Sequence, residues 1–203
     1  MKRYFFFIAI ITIAASSCIK DRLQPKAGPV VIPNGDTLMY YWSFNNADSS
    51  HRAPDFGVHS GGIYKYYCAY IDYTAGSVLN LHGTSDSGQC LRLRNPSDSV
   101  IFKMPTTGYD SISLSFAVEA SSSGPSLNAV FYTTDGVHFI STGLTNNSYS
   151  VTTAFTLQSF SFAADPNTND NPNFAIKIVQ LNNNTGTSGN DRLDNLSLSG
   201  VRK

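Results

Sequence analysis

The sequence predicts an all-β protein, an antiparallel β-sandwich of about ten short strands. Three observations indicate this fold class: apolar and polar residues alternate along many segments, turn residues separate those segments, and no stretch carries a sustained helical stripe of apolar residues. Short strands at this spacing favour a sandwich or jelly roll, and the lack of a 20–50-residue repeat disfavours a propeller or solenoid.

The alternation defines the predicted strands in chain order. It is clearest in TLMYYWSF at 37–44, DSISLSFAVEA at 110–120 and NFAIKIVQL at 173–181. The apolar faces of these segments are, in order, Leu38, Tyr40, Trp42 and Phe44; Ile112, Leu114, Phe116 and Val118; and Phe174, Ile176 and Ile178. Further strands are predicted near 63–71, 88–94, 98–103, 128–134, 137–142 and 151–163, separated by turn pairs such as Gly61-Gly62, Asn95-Pro96 and Asp135-Gly136.

The chain ends on GNDRLDNLSLSGVRK at 189–203, which predicts a closing strand. Strict alternation places Asp194 on the same side as Leu196 and Leu198, so its carboxylate is expected to face an apolar layer. A buried carboxylate must be hydrogen-bonded, paired with a cation or neutralised. We therefore expect Asp194 to hold the last strand to the first.

The amino terminus predicts an exported, lipid-anchored protein. Two basic residues, an apolar run of twelve residues from Tyr4 to Ala15 and small residues before Cys18 have the order of a secretory signal. The run is shorter than the roughly 20 residues of a spanning helix. Ala15-Ser16-Ser17-Cys18 resembles the lipobox of bacterial lipoproteins, although Leu is usual where Ala15 stands. We expect residues 1–17 to be a signal peptide and Cys18 to carry palmitate-like chains; the alternative is an incidental thiol.

Composition and charge set the domain organisation. Residues 18–36 hold three prolines and two glycines without periodicity, which predicts a lipidated N-terminus and a flexible tether. Residues 37–203 are then one β-sandwich domain with a sizeable core. The whole chain has a formal net charge of zero and no basic run, so nucleic acid is not an expected partner.

The cysteine count permits one disulfide. If Cys18 is lipidated, two cysteines remain of the three, Cys68 and Cys90. An even pair in an oxidising compartment permits a bridge between them, and the alternative is two buried free thiols.

One long segment carries a family resemblance. LRLRNPSDSVIFKMPTTGYDSISLSFAVEASSSGPSLNAVFYTTDG at 91–136, followed by DNPNF at 170–174 and the closing strand, resembles a jelly-roll module of bacterial surface lipoproteins and multidomain secreted proteins. The resemblance covers most of residues 38–203. It implies a concanavalin- or galactose-binding-like sandwich, similar to carbohydrate-binding, choice-of-anchor, adhesion and MAM-type domains.

The sequence offers little for catalysis. Glu119 is the only glutamate, the strand motif Glu-x-Asp-x-x-Glu of laminarinase-type glycosidases is absent, and the four histidines lack metal-ligand spacing. Glu119 is expected to be a solvated strand charge. We predict that the protein is not an enzyme; a hydrolase with unrecognised catalytic residues is the weaker alternative.

Calcium is the expected cofactor if there is one. In similar sandwiches the first and last strands pair, which would bring Asp194 towards the oxygens that follow the first strand at Asn45 and Asp48. Amide and carboxylate oxygens are ligands that calcium prefers. The alternative is that Asp194 caps backbone N–H groups or pairs with Arg192 or Arg202.

Tyrosines provide the predicted ligand surface. The segment IYKYYCAYIDY at 63–73 places Tyr64, Tyr66 and Tyr70 on one face by parity. Exposed tyrosine rings stack on sugar rings while their hydroxyls form hydrogen bonds. The sequence therefore predicts a lipid-anchored, non-catalytic carbohydrate-binding module at the bacterial outer membrane; the alternative is a structural or adhesion module that contacts a surface protein.

Overall fold

The computed structural model of the protein describes residues 35–182 and 188–203. The predicted signal peptide, Cys18 and nearly all of the predicted tether lie outside these residues. Within the described ranges, no helix has the length and apolarity needed to cross a membrane.

The described residues form two antiparallel sheets, which confirms the predicted all-β sandwich. The strands are β1 Thr37–Trp42, β2 Ile63–Cys68, β3 Ile71–Ala75, β4 Gln89–Arg94, β5 Ser97–Lys103, β6 Tyr109–Ala120, β7 Leu127–Thr133, β8 Ser148–Ser150, β9 Thr156–Ser161, β10 Ala175–Leu181 and β11 Asn190–Arg202. The six-stranded sheet has the order β3-β4-β11-β6-β9, with β1 also paired to β11, and the five-stranded sheet has the order β2-β5-β10-β7-β8.

Strand β11 organises the six-stranded sheet. β6 pairs with one edge of β11, whereas β4 and β1 share the other edge end to end, β4 along residues 190–193 and β1 along residues 196–200. Between them lies a β-bulge, because β11 advances three residues from Asp194 to Ser197 while β6 advances two. Asn195, with a φ of +49°, is the extra residue.

The core fills the space between the sheets. All the predicted apolar faces of β1, β6 and β10 lie in it except Leu38, which is half-buried. Trp42 packs edge-on against Phe102 with ring centroids 5.2 Å apart, and Tyr64 lies 5.6 Å from the same ring. Each such aromatic contributes about 1.5–3 kcal/mol through burial, so β1, β2 and β5 are held together across the sandwich.

Two predicted strands differ in the structure. Segment 63–71 is interrupted after Cys68, and Ile71 begins β3 in the opposite sheet. Segment 137–142 forms only a bridge between Ile140 and Tyr132. There the Asp135 carboxylate accepts the N–H groups of residues 137 and 138, so those donors serve a turn instead of a strand ladder.

Candidate functional site

The outer face of the five-stranded sheet is the candidate site. Paired residues point to the same side of a sheet, so the register arranges its side chains in rows. Tyr64 and Phe102 are paired and lie in the core, so their neighbours along each strand point outwards. The outward rows are Ile63, Lys103, Ala175 and Thr133; Lys65, Ile101, Lys177 and Phe131; and Tyr67, Ser99, Val179 and Ala129.

An open cleft of about 530 Å³ crosses one end of this face. Tyr67, Ile101 and Lys103 line it from the strands, and Asp135 and Phe139 line it from the loop after β7. A second hollow of about 350 Å³ shares the same three strand residues and continues towards the β2 edge. The two adjoin, and each has a volume typical of ligand sites.

Tyr67 is the aromatic platform of the face. Tyr67 is 42% exposed, and the Lys65 ammonium lies 5.0 Å from the centroid of its ring. This distance is within cation–π range and restricts the orientation of the ring. With Ile101 beside it in the cleft, Tyr67 offers a flat apolar surface next to charged groups.

The Asp135 carboxylate is already engaged within its own loop. Its Oδ1 accepts from the backbone N–H groups of Val137 and His138, both at 2.8 Å, and from the Thr133 hydroxyl at 2.9 Å. Its Oδ2 lies 2.7 Å from His138 Nδ1. These bonds, that to the His138 ring foremost, hold the pKa of Asp135 well below its usual value. The carboxylate is therefore held ionised and shapes the loop after β7.

The predicted tyrosine platform is wrong. Tyr64 is buried in the core and only 1% exposed, and Tyr66 is half-buried beneath the Arg52 guanidinium, which lies 4.8 Å from its ring centroid. Tyr70 is 54% exposed but lies in the turn after β2 and does not line the cleft. Parity grouped Tyr64 and Tyr66 correctly along β2 but could not tell which face of the strand is outside, and Tyr70 lies beyond the end of β2.

The predicted disulfide does not form in the structure. Cys68 and Cys90 are both free; Cys68 ends β2 in the five-stranded sheet, and Cys90 lies on β4 in the other sheet. Each thiol donates instead to a backbone carbonyl at 3.3 Å, that of Tyr70 for Cys68 and that of Ala75 for Cys90. Burial raises the pKa of the Cys90 thiol to about 12, which keeps it protonated and unreactive.

Asp194 lies on the opposite side of β11 from the predicted one. The bulge at Asn195 inserts a residue, so Asp194 shares a face with its partner Ala117, while Leu198 faces the core with Leu114. Its carboxylate accepts from the backbone N–H of Ser77 at 2.5 Å and of Asn195 at 2.9 Å. Capping of backbone donors, one of the predicted alternatives, is therefore confirmed. Burial raises the pKa of Asp194 to about 7.

Asn195 anchors the loop at 76–88 over this bulge. Its side-chain amide donates to the carbonyls of Ser77 and Leu79, both at 2.9 Å, and accepts from the Tyr41 hydroxyl at 2.6 Å. Asn80 returns a bond of 2.6 Å to the Asn195 carbonyl. The loop thus supplies hydrogen bonds at the point on β11 where the first residues of β4 and the last residues of β1 meet.

The candidate calcium ligands each have protein donors of their own. Asn45 Oδ1 accepts from the Gln89 N–H at 2.6 Å, and the exposed Asp48 accepts from the N–H and hydroxyl of Ser50. Asp194 is capped as described above, so each of the three side chains accepts hydrogen bonds from donors of the protein itself. Calcium binding stays a prediction.

Asp191 is the carboxylate that faces the core, and the sequence analysis missed it. It lies between the two sheets, and its Oδ2 accepts from the side-chain amides of Asn128 at 2.9 Å and Gln180 at 3.1 Å. The Oδ1 atom of Asp191 has no hydrogen-bond partner among the described residues. The same holds for the side-chain carbonyl of Asn128 and the hydroxyl of Tyr149. Burial raises the pKa of Asp191 to about 6. Its parity with Leu193 was the signal that could have found it.

Glu119 was predicted to be solvated, and this prediction is wrong. It is buried, and it forms an ion pair with Arg192, which lies opposite it on β11. A cross-strand ion pair of this kind gives the only glutamate of the chain a structural role.

Comparisons with known proteins find similarity at the level of fold. No protein-family model and no curated protein matches the chain. Among solved structures, the xylan-binding domain CBM22-1 of Paenibacillus barcinonensis Xyn10C has a TM-score of 0.46 and 11% identity over 82% of this chain and 96% of its own. Domain 4 of the extracellular arabinanase AbnA from Geobacillus stearothermophilus, in complex with arabinotriose, has a TM-score of 0.47 and 17% identity over 83% and 94%. The K2 cleaved adhesin domain of Lys-gingipain, a Porphyromonas gingivalis protein, has a TM-score of 0.45 and 9% identity over 80% of this chain and 98% of its own.

Proposed function

We propose that the protein is a non-catalytic binding module that takes a carbohydrate chain along the outer face of the five-stranded sheet. The observation that carries this proposal is the exposed ring of Tyr67 in an open cleft, on a strand that the core holds rigid. A sugar ring has apolar C–H faces and a rim of hydroxyls, so it matches a flat ring bordered by polar groups. Ile101 extends the apolar floor, and Lys103 and Asn173 supply hydrogen-bond donors at its border.

A pair of tyrosine variants tests this site. The full-length protein would be screened on a glycan array, and hits would be measured by calorimetry with Tyr67→Ala and Tyr70→Ala. Tyr67→Ala is expected to weaken binding roughly ten-fold, since it removes about 1.5 kcal/mol of stacking surface. Tyr70→Ala removes a more exposed ring that lies outside the cleft and is expected to leave affinity unchanged.

The outcome also separates the alternative. Equal losses in both variants, or a loss only in Tyr70→Ala, would place the site elsewhere. If neither arrayed glycans nor soluble polysaccharides bind, the structural or adhesion role becomes the leading function. Ile63, which is 49% exposed beside Lys103, is the residue that would then contact a protein partner.

The proposed place of action is the cell envelope. Lipidation of Cys18 would anchor the chain to the bacterial outer membrane, and residues 19–36 would separate the domain from the lipid surface. A tethered module of this kind holds its glycan near the cell, which is a use for binding without catalysis.

A further inference from the structure

The outer face of the five-stranded sheet differs in charge from the rest of the domain. The described residues carry nine basic and thirteen acidic side chains, a net charge of −4. The five strands of this sheet nevertheless hold three lysines and a single carboxylate, Asp98. Three of the four lysines in the described residues therefore belong to one sheet.

The register brings the three lysines together. Lys65 and Lys177 flank Ile101 in one row, two strand spacings apart or about 10 Å. Lys103 lies in the next row, on the diagonal from both, at about 7–8 Å between backbones. Lys103 lines the cleft, Lys65 and Lys103 line the adjoining hollow beside Tyr67, and Lys177 lies on the other side of Ile101 in the same row.

These lysines have no internal counter-charge. In the described part of the chain, none of the three has a carboxylate oxygen within 4.0 Å. By contrast, Arg92 and Arg94 bind Asp72 at 2.7 and 3.0 Å on the other sheet. Asp98 lies in the bulge where β5 leaves the β2 register, and Asp135 lines the cleft but its oxygens are already engaged within its own loop.

We infer that the carbohydrate bound on this face is an acidic polysaccharide, whose carboxylate or sulfate groups meet Lys65, Lys103 and Lys177. The inference rests on the proposed function and adds the ligand class to it. A polyuronate carries a charge on successive sugars, so one chain along the rows reaches more than one lysine. Lysine ammonium groups accept varied anion geometry, which suits a repeating polymer. A cleft with a stacking ring favours a chain over a flat anionic membrane.

The test compares charged and neutral polymers on the full-length protein. Polygalacturonate and alginate are the acidic probes, and galactan and mannan are the neutral ones, each measured by calorimetry at low and high salt. Acidic probes are expected to bind more tightly, and salt is expected to weaken that binding because exposed charges are screened. Each of Lys65→Gln, Lys103→Gln and Lys177→Gln is expected to cost about two- to five-fold, and the triple variant about ten- to a hundred-fold.

Two controls keep the test specific. Lys203→Gln removes the fourth described lysine, which pairs with Asp110 and Asp170 away from the cleft, and is expected to change affinity less than two-fold. The triple Lys→Arg variant keeps the charge and is expected to keep binding. Melting curves identify any variant that fails to fold, and the single variants then carry the test.

The results separate this inference from the proposed function. Binding of galactan or mannan that needs Tyr67 but ignores the three lysines would overturn the acidic ligand and leave carbohydrate binding intact. Binding to mixed phosphatidylcholine–phosphatidylglycerol vesicles that is as tight as binding to the acidic polysaccharides would replace the polysaccharide with a membrane surface. Silence with every saccharide would overturn both.

Discussion

Replacing Asp191 with asparagine is expected to stabilise the protein at neutral pH. Asp191 lies fully inside the sandwich, and its carboxylate receives two side-chain amide bonds but no cation. Burial raises its pKa from 3.8 to about 6, the amides of Gln180 and Asn128 offsetting only part of the effect. Keeping this group ionised at pH 7 therefore costs folding free energy.

The magnitude follows from linkage. A tenfold change in proton affinity corresponds to 1.36 kcal/mol, so a pKa raised from 3.8 to about 6 is worth about 3 kcal/mol. The folded state binds the proton of Asp191 more tightly than the unfolded state does, so protonation contributes its full stabilisation below pH 3.8. This stabilisation is lost as the pH rises through 6. Asparagine cannot ionise, and its amide also brings a donor to the unpartnered Asn128 carbonyl.

Urea unfolding at pH 4 and pH 7.5 measures this effect. The free energy of unfolding of Asp191→Asn minus that of the wild type is expected to grow by about 2.4 kcal/mol between the two pH values, because the unfolded carboxyl is already partly ionised at pH 4. Asp194 also titrates in this range, but it is present in both proteins and cancels in the difference. Asp98→Asn, a change at an exposed carboxylate, is the matched control. It should change the free energy of unfolding by no more than about 0.5 kcal/mol at either pH. A difference independent of pH would refute the argument.

Four further outcomes are expected. Millimolar calcium should raise the melting temperature relative to EDTA, and Asp194→Ala should abolish that rise; equal melting in both buffers would discard the calcium prediction. A fatty-acid probe should label the wild type and not Cys18→Ala, and a label that persists would contradict lipidation. Asn195→Ala should cost about 2–4 kcal/mol and speed amide exchange in the loop at 76–88, because it leaves buried carbonyls without donors; unchanged exchange would show that the loop is held elsewhere. Glu119→Gln should cost about 1–3 kcal/mol in urea unfolding, since it leaves the Arg192 charge unpaired, and a neutral result would mean that the pair contributes nothing.

The fold class was predictable because one side of most strands is strongly apolar. In β6, Ile112, Leu114, Phe116 and Val118 alternate with small or polar residues, and all four are buried. β2 has no such contrast, since Ile63, Lys65 and Tyr67 alternate with Tyr64, Tyr66 and Cys68. Either face of β2 is compatible with the core, so its partners decide, and they bury Tyr64 against Phe102.

The two acidic residues of β11 illustrate a different limit. Counting backwards from Leu198 assumes unbroken alternation, and a single extra residue reverses the result for Asp194 and Asp191. The bulge depends on Asn195 meeting the loop at 76–88, more than a hundred residues earlier in the chain. A contact so distant in sequence leaves no local pattern, so counting from Leu198 misplaces both carboxylates, and only the parity of Asp191 with Leu193 points to the correct face.

The end-to-end meeting of β4 and β1 on β11 bears on which changes of chain length the strand tolerates. Without Asn195, Leu196 would follow Asp194 directly and still face inwards, so every remaining side chain would keep its side. A one-residue deletion in the middle of β11 away from this bulge would exchange core and surface residues along part of the strand. The bulge is thus the place where the strand can shorten while the sandwich keeps its register. Deletion of Asn195 would remove its own hydrogen bonds to the loop at 76–88 and leave the core faces of β11 unchanged.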